Sequence, residues 1–83
     1  GAAYTSEIAI ADDPAALVDR MNTLLYYGQM STTLQSRINA AITAVAIPAA
    51  TGANQATIDA AKLNRAKTAV FFAMIAPEYL VQR

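Results

Sequence analysis

The sequence predicts a small all-α fold: a three-helix antiparallel bundle closed by a short proline-initiated turn or helix at its C-terminal end. Two observations carry this. Residues 17–31 (LVDRMNTLLYYGQMS) and 64–83 (NRAKTAVFFAMIAPEYLVQR) each join an apolar stripe at helical spacing to a stop signal, Gly28 in the first block and Pro77 in the second. The hydrophobic share is 55%, yet alanine supplies much of it, and alanine favours helix while leaving little side chain to bury. Such a composition predicts helices packed at close range.

Residues 1–12 hold Tyr4, Ile8 and Ile10 without helical spacing and read as an extended N-terminal arm, leaving residues 13–83 for the bundle. Asp13-Pro14 marks the start of the first helix, because an Asp side chain accepts from free backbone N–H groups and proline at the first helical position has φ already set. Leu17, Val18, Met21, Leu24 and Leu25 then share one face, with Asp19, Thr23 and Tyr26 on the other. Gly28 ends this helix by taking a left-handed conformation. Ser31 caps a second helix whose stripe is Leu34, Ile38, Ala41, Ile42 and Val45, and Pro48 stops it. Residues 48–54 (PAATGAN) form the internal loop.

A third helix over residues 55–76 has a length of roughly 33 Å, against roughly 21 Å for the first. Its expected inward stripe is Leu63, Ala66, Val70 and Met74. The end of this helix, residues 69–76, is apolar on every side, and Phe72 points away from Val70 and Met74. Two shorter neighbours do not cover both faces. Either residues 77–83 fold back over Phe72, or another chain or domain covers it.

The composition narrows the function. Eighty-three residues make at most one domain, and six basic residues balance six acidic ones, so no long-range field draws the chain to nucleic acid. There is no cysteine and no histidine, which removes thiol nucleophiles, imidazole bases and the usual zinc ligands. No apolar run reaches the roughly 20 residues of a transmembrane helix, and no signal-peptide pattern is expected in these residues. Whether Gly1 is native, a processing site or a cloning remnant is left open. Asp12, Asp13, Asp19, Asp59 and Glu78 are carboxylates without a calcium-loop pattern, so they are read as caps and polar-face residues, Glu78 being suited to the first turn after Pro77. Arg20, Arg65 and Arg83 are candidates for binding an anion, but are read rather as partners of Asp19 or Glu78 or as solvated. No catalytic, metal or cofactor-binding residue is assigned.

Aromatic residues are enriched where proteins meet, so Tyr26, Phe72 and Tyr79 are the candidate interface residues. A membrane-surface role for residues 71–75 is disfavoured, since such helices usually carry Lys and Arg on the opposite face and none lies within the run. A small apolar-ligand pocket lined by Met21, Phe71 and Met74 is a further, weaker alternative.

The residues Leu17, Val18, Asp19, Arg20, Met21 and Asn22, then Gly28, Met30 and Ser31, then Arg65, Ala69, Ala76, Pro77, Glu78, Tyr79, Val81, Gln82 and Arg83 fall in a particular order and spacing. In this they resemble the C-terminal portion of the bacterial domain-of-unknown-function 1800 family, whose members end in a similar Pro-Glu-aromatic-x-Val-Gln-Arg segment. The resemblance spans nearly all of this chain but only the final part of a typical member. It implies a C-terminal helical subdomain of an exported, periplasmic or secreted bacterial protein whose activity is not established, and it carries over no catalytic residue. The expected role is a non-catalytic structural or interaction module whose partners are the upstream part of a parent protein or a separate protein, with self-association open. The alternative is a wall or lid of an active site whose catalytic residues lie upstream.

Overall fold

The computed structural model describes residues 4–81, so Gly1, Gln82 and Arg83, with any anion-binding role for Arg83, lie outside the described residues. Five helices follow one another: α1 (Thr5–Ala9), α2 (Pro14–Tyr26), α3 (Thr32–Thr43), α4 (Gln55–Ile75) and α5 (Pro77–Leu80). Helices α2, α3 and α4 form an up-down-up bundle, with α1 packed on α4 and α5 closing the C-terminal end. Among the described residues there is no strand.

The extended arm expected over residues 1–12 is corrected in part, because residues 5–9 form the short helix α1. Five residues are too few to hold a helix alone, and the sequence lacks a helical stripe there. Tertiary contacts supply the stabilisation instead: Glu7 pairs with Arg20 of α2, and Asp12 lies 3.7 Å from Lys62 of α4. A chain of turn hydrogen bonds, ending with the Asp13 N–H donating to the Ile10 carbonyl at 3.0 Å, leads directly into α2.

Helix α2 begins as its sequence predicts, with the Asp13 carboxylate accepting from the Ala16 N–H at 3.3 Å and Pro14 in the first turn. At its end both Tyr27 (φ 54°) and Gly28 (φ 81°) are left-handed, and the Gly28 N–H closes back onto the Asn22 carbonyl at 3.0 Å. Ser31 caps α3, its Oγ accepting from the Leu34 N–H at 3.1 Å. Helix α3 stops at Thr43, before Pro48 is reached, so Val45 sits just beyond the helix rather than in its stripe. The loop before α4 is folded around Asn54, whose side chain accepts from the Thr51 N–H and donates to the Ala49 carbonyl.

The core brings Leu17, Val18, Met21 and Tyr26 of α2 against Ile38 and Ile42 of α3, with Met30 from the connecting turn. Helix α4 meets them with small residues, Ala66, Ala69 and Ala73, which let the three axes approach closely. The expected inward stripe of α4 is therefore corrected. Its buried face runs through Ile58, Ala61, Arg65, Ala66, Ala69 and Ala73, while Met74 lies outside and Leu63 and Val70 are half-buried.

Arg65 is the buried charge of this core. Its Nε donates to the Val45 carbonyl at 2.8 Å and its Nη1 to the Ala11 carbonyl at 2.9 Å. Those carbonyls lie just past the C-terminal ends of α3 and α1, where unsatisfied acceptors and the helix dipole both favour a cation. Arg65 thus ties three helices together through backbone oxygens rather than through Asp19 or Glu78.

Candidate functional site

Two features stand out at the C-terminal end of the bundle: a hydrogen-bonded corner and, beside it, an apolar groove.

The corner is built around the helix end that Pro77 creates. In a continuous helix the Ala73 carbonyl would accept from the N–H four residues on, but that residue is Pro77, which has none. The Tyr26 hydroxyl takes that place, donating to the Ala73 carbonyl at 2.6 Å from a fully buried ring. Burial, helped by the nearby Glu78 charge and by Tyr79, pushes the Tyr26 hydroxyl above its ordinary pKa and keeps it a donor. The Tyr79 ring lies 5.4 Å from that of Tyr26 at a tilt of 48°.

On the other side of the corner, Glu78 grips the start of α3. Its carboxylate accepts from the Ser31 hydroxyl and from the Ser31 N–H, each at 2.6 Å. In a capping box the carboxylate comes from the third residue of the same helix; here it comes from α5, far along the chain. These two bonds hold the Glu78 carboxyl below its ordinary pKa. The intervening turn is pinned by Asn22, whose Oδ1 accepts from the Met30 N–H at 2.8 Å, and by Gln35, whose Nε2 donates to the Met30 carbonyl at 2.9 Å.

Most of the carboxylates are thus in structural use. Asp13 caps, Glu7 and Asp12 pair with cations, Asp59 accepts from Gln55 at 2.9 Å, and Glu78 holds Ser31. Asp19 lies exposed on α2. Among the described residues no three such groups converge as a metal site.

The groove lies between α3 and α4. Leu34, Arg37, Ile38 and Ala41 form one wall, Phe72, Ile75 and Ala76 the other, and Pro77 closes one end around a volume of about 280 Å³. Its outer lip continues along α4, where Phe71, Phe72, Met74 and Ile75 are 57%, 41%, 47% and 51% exposed. Residues 77–81 do not cover Phe72, because Glu78 and Tyr79 turn α5 toward Ser31 and Tyr26 instead.

The three candidate interface residues therefore separate. Phe72 lines the groove at the surface, Tyr79 is half-buried against Tyr26, and Tyr26 is wholly inside. Placing Tyr26 on the polar side of its helix is thereby corrected: the turn at Tyr27 and Gly28 brings Met30 and α5 over it. Met21, Phe71 and Met74 are not brought together, since Met21 is buried in the core while the other two face outward. The remaining groove residues, Arg37 above all, were not singled out from the sequence; the available signal was the apolar stripe of α3 extending to Leu34 and Ala41. A second shallow cleft of about 310 Å³, over Ala15, Val18, Gln35, Ser36 and Asn39, has no charged lining. No helix of the described residues is long and apolar enough to cross a membrane.

The chain matches no protein-family model, no curated protein and no solved structure.

Proposed function

We propose that this chain is a non-catalytic helical interaction module, the C-terminal part of a larger exported bacterial protein, that uses the apolar end of α4 to pack against another protein surface. The observation that carries the reading is the exposure of Phe71, Phe72, Met74 and Ile75 on consecutive turns of a helix whose opposite face is fully packed. Large contiguous apolar patches on a folded surface mark interaction sites. The placement within a larger exported protein, in the periplasm or outside the cell, rests on the family resemblance, and fractionation of cells producing the parent protein tests it.

The surface itself is tested with a hydrophobic dye on the folded chain. The native protein is expected to bind the dye, and the double substitution F71S/I75S is expected to remove at least half of the signal while leaving the thermal melt within a few degrees of the original. An unlabelled native protein, or a melt that collapses as it would for a core substitution, overturns the reading.

A further inference from the structure

We infer that the groove between α3 and α4 seats one amphipathic helix from a separate protein, and that this helix carries a carboxylate opposite Arg37. The inference rests on the interaction-module reading above and names the partner chemistry of that same surface.

The walls have the spacing of a helix seat. On α3, Leu34, Ile38 and Ala41 stand at i, i+4 and i+7; on α4, Phe72, Ile75 and Ala76 stand at i, i+3 and i+4. The helices run antiparallel, so two apolar ridges flank a trough with small residues, Ala41 and Ala76, where a third axis would come closest. Helix-in-groove docking reads such i, i+3, i+4, i+7 anchors.

Charge and area decide between a second copy of this chain and a different partner. Arg37 is exposed on the groove wall, and among the described residues it has no salt-bridge partner. The groove wall contains no carboxylate, and the nearby Glu78 is already engaged by Ser31. A two-fold pairing of copies across this groove would bring each Arg37 toward apolar residues or toward its own counterpart, leaving two cations unmatched in a closing interface. Even when Phe71 and Met74, which lie outside the groove, are counted with Phe72 and Ile75, the exposed parts of these four side chains amount to roughly 400 Å². That is about half of the ~800 Å² per partner in a standard stable interface, and it suits a single docked helix better than a permanent dimer. A carboxylate on the incoming helix supplies what a second copy lacks.

Two labelled synthetic helical peptides test this. They share length and a Leu face at i, i+3, i+4 and i+7, and differ only in carrying Glu or Lys beside that face. Fluorescence anisotropy should show the Glu peptide binding the native chain about tenfold tighter than the Lys peptide, and R37E, an exposed helix position, should reverse the order. Amide and methyl NMR shifts should place the Glu peptide at Leu34, Ile38 and Ile75. Equal binding of both peptides regardless of Arg37 overturns the inference. Shifts confined to the outer face of α4 around Phe71 and Met74 also overturn it, while leaving the interaction-module reading intact. Absence of binding by either peptide anywhere on the chain removes both. Concentration-dependent dimerisation that R37E abolishes would assign the groove to a second copy and overturn the choice of partner.

Discussion

Glu78 shows how one side chain joins two distant parts of the chain and makes their union depend on pH. Its carboxylate is stabilised by two donors from Ser31, so its pKa in the folded state lies below the ordinary value of 4.5. A carboxyl with a depressed folded pKa contributes stability that is fully present above its unfolded pKa and is lost as pH falls through its folded pKa. The contact between α5 and the start of α3 should therefore hold at neutral pH and weaken in acid. Glu78→Gln removes the charge and keeps one acceptor, so the variant should melt at a lower temperature than the native chain at pH 7. The two melting temperatures should converge as pH falls below about 4.5. Thermal melts of the helical signal between pH 7 and pH 3 measure the difference directly. Curves that stay parallel throughout would mean that the Glu78–Ser31 contact adds nothing measurable.

At the scale of elements, most boundaries were legible because they rest on local chemistry. Asp13-Pro14, Ser31 and Pro77 act through backbone geometry and nearby N–H groups and work where the sequence places them, whereas the left-handed stop expected at Gly28 begins one residue earlier, at Tyr27. The rotation of α4 was not legible, because nearly every position in its last two turns is apolar. The deciding factor was size: Ala66, Ala69 and Ala73 allow the close approach of α2 and α3, and so the larger Phe72, Met74 and Ile75 remain outside. Helix α1 was hidden for the opposite reason, being held by partners far along the chain such as Arg20. The candidate site was legible only at Phe72. Tyr26 was assigned to the surface because nothing local reveals that its hydroxyl completes another helix. That relation between α2 and α4 predicts a specific coupling. Tyr26→Phe leaves the Ala73 carbonyl without its donor and should cost about 1–2 kcal/mol. Pro77→Ala restores an N–H four residues after Ala73, so in that background the loss of the Tyr26 hydroxyl should cost less than half as much. A double-mutant cycle by urea unfolding measures this, and strictly additive losses would remove the argument.

The whole molecule is elongated, with extents of 46 × 25 × 17 Å and a radius of gyration of 13.2 Å, against about 12 Å for a compact chain of this length. Its packing is correspondingly uneven. The largest buried side chains, Tyr26, Leu17, Ile38 and Ile42, gather around α2, α3 and the second half of α4. The first half of α4 buries only Ile58 and Ala61, and α1, which packs on α4, buries no residue of its own. Arg65 stands at the border between the two regions, holding the carbonyls that follow α1 and α3. Regions with few buried apolar contacts open at a lower free energy than the global unfolding reaction. Amides of residues 5–9 and 55–62 should therefore exchange with solvent through a partial opening, whereas those of residues 17–26, 38–42 and 66–73 should exchange only with global unfolding. Substituting Arg65→Met, which keeps the bulk but removes both donors, should widen that separation by freeing the α1 side first. Hydrogen exchange followed by NMR at increasing sub-denaturing urea distinguishes the cases: slopes near zero for the first set and near the global value for the second are expected. A single common slope for all protected amides would mean that α1 and the start of α4 are as firmly part of the cooperative unit as the core, and that Arg65 joins the two regions more tightly than their packing indicates.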